Sequence, residues 1–443
     1  MTLTRLTATD FRCFRELDAR LAPLTILLGE NSTGKTSFLA LVRALMVASY
    51  RSEVPNFRQA PYDLGGFANL AHSRGARGGS ATAFSASFEA NQSGHEPTTS
   101  HGFEITFRER NGLPVPVRRR FFSTAVSLDE NRMESGNTRF SVETPEGRRD
   151  YGLGKRMRIS GTEERLFDPI IFAWALAEAA TNGESASSEK TAARHSREFE
   201  TLARSFAAGR RHGVPYCSAP IRTVPQRTYD PYPAENDPEG AGIPTYLANL
   251  LQGDPARSKR LVGQLRSFGA DAGLFDEFRI DRLKRREGSG PFQIQVRRHS
   301  GKKKGPWRNL VDMGYGVSQA LPILTELLRP EAAPLALLQQ PEVHLHPSAQ
   351  AAFGSLLCRL TGPRRQVVVE THSDYLWDRV RMDIRDGKAR LDPEQVSVLF
   401  FERGDLDVRV HSIRLDGNGN VIGTPPTYRE FFENEVQRSI WAG

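Results

Sequence analysis

The residues from 29 to 37 carry the clearest chemistry in this sequence. They read Gly-Glu-Asn-Ser-Thr-Gly-Lys-Thr-Ser and fit the pattern G-x-x-x-x-G-K-S/T of a phosphate-binding loop. In such a loop the glycines let backbone N–H groups surround phosphate oxygens, the Lys reaches the β- and γ-phosphates, and the hydroxyl after it binds Mg²⁺. The spacing predicts that the following residues hold a nucleotide, with Mg²⁺ on the Thr36 hydroxyl: Gly29, Asn31, Ser32, Gly34, Lys35, Thr36 and Ser37.

The elements around this loop fit its chemistry. The apolar run 24–28 before it predicts a buried strand, and residues 38–45 after it carry apolar side chains at helical spacing. A strand, a glycine turn and a helix are the setting in which such a loop works, because the start of the helix adds positive potential. The alternative is a chance glycine-rich turn, which would not explain these flanks.

Two further apolar runs end in polar residues. Residues 335–338 predict a short buried strand that leads into Gln-Gln-Pro-Glu-Val-His-Leu-His-Pro at 339–347. Residues 366–370 predict another strand, which leads into Thr-His-Ser-Asp at 371–374. The carboxyl ends of parallel strands form one edge of an α/β sheet, where ligands bind. We therefore expect both polar segments at the ligand site.

A third segment, Met-Gly-Tyr-Gly-Val-Ser-Gln at 313–319, precedes apolar residues at helical spacing from 320 to 328. A small-residue turn before a helix exposes backbone N–H groups to an anion. This signal is weak alone, and it gains weight from its place in the order of the other motifs.

In this order the four segments resemble the ATP-binding-cassette ATPases of the RecF, SMC and OLD branch. Among these they are most similar to stand-alone ATPases of bacterial antiphage systems, the PtuA-like proteins of Septu and retron systems. The resemblance covers residues 1–50 and 305–375. It implies a homodimer or higher oligomer whose heads enclose ATP and Mg²⁺ head to tail. It also implies that Gly316, Ser318 and Gln319 contact the γ-phosphate of the second copy, that His372 senses that phosphate, and that residues 344–347 lie where subunits communicate.

One departure from that family concerns the catalytic carboxylates. The family's strand ends in two acidic residues, the first holding Mg²⁺ through water and the second polarising the attacking water, whereas this chain has Gln339 and Gln340. A glutamine orients water in other phosphate-loop enzymes, but it is no base. Glu342 is the nearest carboxylate, so we expect hydrolysis, slow where it occurs, to involve Glu342, Gln340 and His372. The alternative for Glu342 is an exposed loop carboxylate.

The same residues allow a different hypothesis. His344, His346, His372 and Glu342 are of the types that bind zinc, and His-x-His is a common ligand pair. The resemblance instead assigns these histidines to the subunit-contact and switch loops, where Asp374 could orient His372. The zinc site is the less favoured alternative.

Composition limits the class of protein. A chain of 443 residues with 38% hydrophobic and 25% charged residues is globular by composition. It has no apolar run of about 18 residues and no secretory signal, so we expect a cytoplasmic protein without membrane contact. The cysteines Cys13, Cys217 and Cys358 are too far apart for a disulfide framework or a zinc knuckle, and we expect them to be reduced and buried.

The net charge of +8 is unevenly distributed. Ten Lys and Arg residues lie between 282 and 308, and Arg118, Arg119 and Arg120 form a second cluster. Such clusters neutralise phosphates and so bring nucleic acid close. A solvated surface is the alternative for both clusters.

The remaining segments complete the expected fold. Short period-two runs between 82 and 142 predict an antiparallel sheet. Ala- and Glu-rich runs at 170–180 and 189–208 predict a helical insertion, and 214–244 is rich in proline. We therefore expect an α/β phosphate-loop NTPase of the ABC-ATPase type with an antiparallel β-subdomain and a helical insertion. Its domains would be an N-terminal ATPase lobe with the β-subdomain (1–155), the insertion with a proline-rich connector (156–270) and a C-terminal ATPase lobe (271–443).

These expectations lead to a functional hypothesis that rests on the resemblance. The protein would bind ATP and act as the sensor or regulatory subunit of an antiphage defence complex that controls a separate effector, such as a nuclease. A RecF-like DNA repair ATPase is one alternative, motivated by the basic stretch 282–308. A non-hydrolysing scaffold locked by ATP is another.

Overall fold

The structure is a computed structural model of the 443-residue chain. It describes residues 2–51, 54–75, 78–91, 100–124, 126–133, 138–144, 147–153, 202, 214–231, 237–253, 255–283, 290–428 and 430. The predicted helical insertion lies outside these residues apart from Leu202, as do Lys284, Arg285 and Arg286 of the basic stretch.

The described residues form strands and helices in the following order. The strands are β1 (Thr2–Phe11), β2 (Phe14–Arg20), β3 (Leu24–Gly29), β4 (Arg58–Gln59), β5 (Tyr62–Asp63), β6 (Ala83–Asn91), β7 (Ser100–Arg110), β8 (Leu113–Ser123), β9 (Ser127–Arg132), β10 (Thr138–Thr144), β11 (Gly147–Leu153), β12 (Tyr216–Cys217), β13 (Glu277–Arg282), β14 (Phe292–Arg297), β15 (His299–Ser300), β16 (Lys303–Lys304), β17 (Arg308–Asn309), β18 (Leu335–Gln339), β19 (Gln366–Glu370), β20 (Val396–Arg403), β21 (Val408–Leu415) and β22 (Val421–Ile422). The α-helices are α1 (Lys35–Met46), α2 (Phe67–Leu70), α3 (Ile243–Gly253), α4 (Pro255–Asp271), α5 (Tyr315–Leu328), α6 (Pro347–Leu360) and α7 (Asp374–Arg385). A π-helical turn spans Val47–Arg51, and 3₁₀ turns span Leu310–Asp312 and Pro393–Gln395.

The phosphate-loop strand lies in the middle of a seven-stranded sheet with the order β12-β18-β19-β3-β20-β21-β22. The strands from β12 to β20 are parallel, and β21 and β22 are antiparallel additions at one edge. The register aligns Gln339 with Glu370, and Glu370 with Leu27 just before the phosphate loop. The carboxyl ends of these strands therefore meet at one edge, as the sequence predicts.

The parallel strands are buried on both faces. Alternate residues face a core shared with α1 and the antiparallel sheet: Leu27, Leu337, Val368 and Leu399. Their neighbours face a second core, which includes residues of α4 to α7: Ile26, Leu338, Val369 and Val398. Burial on both faces explains why these strands read as continuous apolar runs in the sequence.

The second large sheet of the described residues is antiparallel, with the order β11-β10-β9-β8-β7-β6-β1-β2. Strands β1 and β2 pair at its end, so the first strands of the chain belong to this sheet and not to the sheet that holds the phosphate loop. Phe84 stacks on Phe107 with ring centroids 4.9 Å apart, and Phe11 of β1 contacts Phe84. The predicted β-subdomain therefore includes the N-terminal strands.

One side chain connects the two sheets. Gln366, the first residue of β19, is buried and accepts a hydrogen bond from the Leu3 N–H at 2.8 Å. Its Nε2 donates to the carbonyls of Leu3 and Ala22 at 2.8 and 3.0 Å. Buried backbone groups need such partners, so Gln366 fixes β1 against the nucleotide-binding sheet.

The Arg118–Arg120 cluster is not a free basic patch. In the register of β8 and β9, Arg119 lies opposite Glu130 and Arg120 opposite Asp129. Arg119 is buried, and its Nε donates to Glu130 at 2.6 Å, while Arg118 donates to Asp129 at 2.9 Å. A phosphate-binding patch and a solvated surface are both wrong for Arg119, because its charge is neutralised by a buried carboxylate.

The basic stretch lies on a small sheet, β13-β14-β17, and on the β15–β16 hairpin. Arg297 donates to Glu277 at 3.0 Å and lies over Trp307, with 4.3 Å between its guanidinium carbon and the ring centroid. Five cations of the stretch are exposed: Arg298, Lys302, Lys303, Lys304 and Arg308. Part of the predicted basic surface is therefore accessible, and the chain runs from it into α5.

Candidate functional site

Two glycines shape the phosphate loop. Gly29 has a φ of 138° and Gly34 a φ of 90°, which favour glycine. A Cβ on Gly29 would lie 2.5 Å from the Phe401 carbonyl oxygen, and one on Gly34 would lie 2.4 Å from the Cys13 Sγ. Both positions therefore need glycine, and Cys13, which the sequence predicts to be buried, is half-buried against the loop.

Lys35 lies across this loop. Its Nζ donates hydrogen bonds to the carbonyls of Gly29 at 2.9 Å and Glu30 at 2.6 Å, and the residue is 3% exposed. Burial lowers the pKa of the Lys35 ammonium, and the negative charges of Glu370 and Glu30 oppose that shift. The loop carbonyls hold the ammonium beside the N–H groups that such loops offer to phosphate.

Thr36 joins the polar ends of two strands. Its Oγ1 donates to Glu370 Oε2 at 3.0 Å and accepts from Gln339 Nε2 at 3.3 Å. Both partners are buried, and the sheet register sets them side by side. Burial raises the pKa of Glu370, while the Lys35 charge and hydrogen bonds from Thr36 and Gln339 lower it. A hydroxyl, an amide and a carboxylate thus meet where the sequence predicts Mg²⁺.

Glu370 is not among the site residues that the sequence predicts. The sequence instead predicts that Glu342 supplies the missing negative charge, because Glu342 follows the strand that carries carboxylates in the resembling family. The available signal for Glu370 was a carboxylate at the end of a buried apolar strand, Gln366–Glu370, where a charge needs a partner. Only the register of β18, β19 and β3 shows that this partner is Thr36.

Glu342 occupies a different place. It is 6% exposed, so the interpretation as an exposed loop carboxylate is wrong. Its Oε1 accepts a hydrogen bond from the His372 N–H at 2.8 Å. Burial raises the pKa of Glu342, and the hydrogen bond from the His372 backbone opposes that shift. Glu342 therefore connects the loop after β18 to the segment after β19, while Glu370 contacts Thr36.

The loop from Gln340 to His346 is strained and contacts the glycine turn of its own chain. Gln340 has a φ of 40° and His344 a φ of 67°, conformations that residues with a side chain rarely adopt. The His344 ring lies 5.7 Å from the Tyr315 ring, and a Cβ on Gly316 would lie 3.0 Å from the His344 carbonyl oxygen. Strained positions of this kind are held by their surroundings, which here include the glycine turn.

The glycine turn presents its first residues outward. Helix α5 begins at Tyr315, earlier than the predicted start at residue 320, and Tyr315 is 59% exposed. Ser318 lies in the first turn, where it is 5% exposed and its Oγ donates to the Tyr315 carbonyl at 3.0 Å, so only Gly314 and Tyr315 of the turn are exposed. Gln319 is buried, and its Oε1 accepts from the Arg222 N–H at 3.3 Å. The Gln319 side chain therefore faces its own subunit and not the outer surface of the turn.

His372 shares a cavity with the phosphate loop. This open cavity of about 790 Å³ is lined in part by Gly29, Asn31, His372 and Arg403. Burial and then the positive charge of Lys35 lower the pKa of His372, so its imidazole is neutral at neutral pH. A neutral His372 ring near the phosphate loop can donate a hydrogen bond to a group bound there, or accept one from it.

The other histidines have structural partners. His346 caps α6, where its Nδ1 accepts from the Ser348 N–H at 3.3 Å. His344 lies against Tyr315 as described. Among the described residues, no group of three or more His, Cys, Asp or Glu side chains is arranged to hold a metal ion. The structure therefore gives the zinc alternative no support.

One family of known proteins matches the chain. The family described as "AAA domain, putative AbiEii toxin, Type IV TA system" matches residues 24–378, a range that contains the phosphate loop, the glycine turn and both strand-end segments. No curated protein matches the sequence. The predicted α/β phosphate-loop NTPase fold with an antiparallel sheet is confirmed. Of the described helices, none is long and apolar enough to cross a bilayer.

Solved SMC head domains align over most of the chain at low identity. An SMC head bound to the C-winged helix domain of ScpA is 10% identical with a TM-score of 0.46, and the alignment covers 94% of this chain and 98% of that one. The SMC head domain from Thermotoga maritima is 13% identical with a TM-score of 0.37, over 93% and 98% of the two chains. An Smc head domain from Pyrococcus yayanosii is 11% identical with a TM-score of 0.44, over 98% and 99%. Likenesses at this level do not bear on function.

Proposed function

The chain belongs to this AAA-domain family, and from that premise we propose that it binds Mg²⁺-ATP, hydrolyses it slowly in head-to-tail dimers, and thereby controls a separate effector protein. One observation carries the nucleotide part. Lys35, Thr36, Gln339 and Glu370 converge at the carboxyl end of the parallel sheet, where a phosphate loop needs a cation and a hydroxyl.

The side chains of this site fit Mg²⁺. Thr36 supplies a hydroxyl and Glu370 a carboxylate. Gln339 adds an amide oxygen that is buried without a hydrogen-bond partner among the described residues. Oxygen ligands of this kind suit Mg²⁺, which would neutralise charge on the phosphate oxygens when bound. Lys35 would leave its loop carbonyls for the β- and γ-phosphate oxygens.

Three residues are proposed to act on the attacking water and the γ-phosphate. Gln340 would orient the water through its amide, as glutamines do in other phosphate-loop enzymes. Glu342 would accept the proton, since burial raises its pKa and so brings it closer to the range of an effective base at neutral pH. His372 would donate a hydrogen bond to the γ-phosphate while its backbone N–H holds Glu342. Glutamines in place of two acidic residues favour slow hydrolysis.

The dimer places the glycine turn of one copy on the nucleotide of the other. The exposed Tyr315 and the start of α5 support this arrangement, because helix N-termini attract anions. Gly316 and Ser318 would contact the γ-phosphate in the second copy. Gln319 would instead hold the turn from within its own subunit, because its amide bonds Arg222. ATP thus acts as a bridge whose hydrolysis separates the heads.

The proposed biological role is antiphage defence. The family description refers to a toxin of a toxin–antitoxin system, which is compatible with an ATPase that restrains or releases a toxic partner. The order of the four motifs, which is similar to that of defence-system ATPases, supports the same role. We infer a regulatory subunit that holds an effector, such as a nuclease, and releases it when the state of the nucleotide changes.

Phosphate release and self-association test the proposal together. We expect ATP to drive the parent into dimers and the parent to release phosphate at least about 100-fold faster than Lys35→Ala, because a nucleotide-positioning cation is lost. Gly314→Arg, at an exposed position of the turn where a Cβ meets no atom within 4 Å, should bind a fluorescent ATP analogue like the parent but remain a monomer in light scattering. A parent that dimerises with ATP but is no faster than Lys35→Ala would support the scaffold alternative. A parent that binds no ATP analogue would refute the proposal.

Exposed cations favour a second candidate, a DNA-binding ATPase. Arg298, Lys302, Lys303 and Arg308 are exposed in the segment that precedes the glycine turn in the chain, and they could contact phosphates. The test is ATP-dependent binding of duplex DNA over a range of salt concentrations. Absence of binding at low salt would exclude this candidate.

A further inference from the structure

A buried arginine lies between the glycine turn and the loop after β18. Arg222 belongs to the proline-rich connector, residues 214–244, and it is 3% exposed. It is not part of any motif discussed above. Buried arginines are rare unless they are paired; among the described residues Nη1 and Nη2 of Arg222 have hydrogen-bond partners and its Nε has none, so the partners of Nη1 and Nη2 indicate what it does.

On one side Arg222 is bonded to the glycine-turn helix. Its backbone N–H donates to Gln319 Oε1 at 3.3 Å, and its Nη1 donates to the Gln319 carbonyl at 3.2 Å. The Gln319 side chain also donates to the Arg222 carbonyl at 3.5 Å. Gln319 directly follows Ser318, so Arg222 is connected to the residue proposed to contact the second copy's nucleotide.

On the other side Arg222 is bonded to the loop from Gln340 to His346. Its Nη2 donates to the Gln340 carbonyl at 3.0 Å. Gln340 is one of the strained residues, and its own N–H donates to the Glu370 carbonyl at 2.8 Å. Two residues further on, Glu342 accepts the His372 N–H. One planar guanidinium therefore connects the turn used by one nucleotide site to the residues that contact the other.

Arg222 remains charged despite its burial. Burial lowers the pKa of the guanidinium to about 10, and the negative charge of Glu342 opposes that shift. The group is therefore charged at neutral pH. Charged hydrogen bonds to carbonyls are stronger than neutral ones, so the guanidinium is firmly bonded to the Gln319 and Gln340 carbonyls at once.

We infer that Arg222 is a positioning residue that couples the two nucleotide sites of a dimer, transmitting the state of its own subunit's Gln340–Glu342 loop to the Ser318 turn that serves the second copy. This inference rests on the proposed function, since it needs a nucleotide at the phosphate loop. It adds a physical connection between sites, whereas the proposed function requires only that both sites exist. A coupling of this kind needs two sites and a shared element that both affect.

The alternative is that Arg222 only stabilises the fold. A matched control is Arg365, a partly buried arginine whose Nη1 donates to the Leu327 carbonyl at the end of α5 opposite the glycine turn. Burial lowers the pKa of Arg365 as well. Arg365→Met should therefore reproduce the loss of a buried guanidinium without affecting communication between the sites.

Hydrogen–deuterium exchange on single copies separates the two roles. The parent, Arg222→Met, Arg222→Lys and Arg365→Met would be compared with and without a non-hydrolysable ATP analogue, at a protein concentration where mass photometry shows monomers. In the parent we expect the analogue to slow exchange in residues 29–37 and, by about fivefold or more, in residues 313–319. Arg222→Met should keep the first change and lose the second. Arg222→Lys retains the positive charge, but it should also lose the change in residues 313–319, because Lys lacks the planar guanidinium that bonds both carbonyls.

The outcomes distinguish this inference from the proposed function. If exchange in residues 29–37 does not change in the parent, nucleotide binding itself is refuted. If residues 29–37 respond but residues 313–319 do not, or if both Arg222 variants keep the response at 313–319, the coupling is refuted while nucleotide binding stands. Loss of the response in Arg365→Met as well would also refute it, because the effect would then belong to any lost buried guanidinium.

Discussion

Replacing Glu370 by glutamine tests which carboxylate serves Mg²⁺. In the parent, the Thr36 Oγ1 lies 3.0 Å from Glu370 Oε2. Glu370→Gln keeps an oxygen that can accept this hydrogen bond and removes only the negative charge. A hydrogen bond to a charged group contributes about 1.5–3 kcal/mol, which corresponds to about 10- to 100-fold in a binding constant. Removal of a carboxylate that supports a bound metal costs a similar factor. We therefore expect the Mg²⁺ concentration for half-maximal activity to rise by about 10- to 100-fold.

The assay is a Mg²⁺ titration of phosphate release and of fluorescent ATP-analogue binding. Glu342→Gln is the matched control, since it also removes one negative charge, from the buried carboxylate that accepts the His372 N–H. We expect Glu342→Gln to lower the maximal rate by about 100-fold, as loss of a general base does, and to leave the Mg²⁺ requirement unchanged. Binding of the analogue in EDTA should not weaken in Glu370→Gln, because Lys35 and the loop glycines remain.

The opposite pattern would contradict this reasoning. If Glu342→Gln raises the Mg²⁺ requirement and Glu370→Gln does not, the hydrogen bond between Thr36 and Glu370 is unrelated to metal binding. The negative charge would then lie on Glu342, as the sequence alone suggests.

Three further perturbations follow from buried and exposed charges. Glu342→Gln should stabilise the nucleotide-free protein by about 1 kcal/mol at pH 7. Burial raises the pKa of Glu342 in the folded state above the ordinary value of 4.5, so ionisation of this carboxylate destabilises the parent as the pH rises above 4.5. Thermal unfolding of the variant and the parent should therefore show no difference below pH 4.5. Arg119→Leu should lower the free energy of unfolding by about 3 kcal/mol in urea titrations, because the buried Glu130 then keeps, of the described cations, only Arg132, at 3.5 Å, as a counter-charge; a loss below about 1 kcal/mol would show that the pair is dispensable. Lys302→Glu combined with Lys303→Glu should weaken duplex DNA binding and reduce the slope against salt by about two, with phosphate release unchanged. DNA binding equal to that of the parent would show that this hairpin is not the contact surface.

The sequence predicts the central sheet well because its strands are buried on both faces. Strand β19 has the predicted bounds, and β3 and β18 extend the predicted runs by one residue each, to Gly29 and Gln339. Continuous apolar runs of this length have few competing interpretations. The phosphate loop is equally readable, since each of its residue types has a local reason.

Contacts between distant segments could not be read from the sequence. The Thr36–Glu370 hydrogen bond joins residues far apart in the chain, and it depends on β19 lying next to β3. The neutralisation of Arg119 by Glu130 depends on the register of β8 and β9, and a basic triplet looks the same in sequence whether or not acidic residues face it. The burial of Glu342 depends in the same way on the contact between the Gln340–His346 loop and His372, whose backbone N–H donates to Glu342.

A ribosome making this chain releases β3 long before either of its neighbours exists. The flanking strands β19 and β20 end at Glu370 and Arg403, so the nascent phosphate loop has no parallel partner until most of the protein has been translated. Large proteins fold through intermediates during synthesis, and here the first large intermediate would be the antiparallel sheet, with the apolar residues 24–28 still uncovered. A product terminated before β19 would therefore carry the whole GKT motif without Glu370, the carboxylate that contacts Thr36.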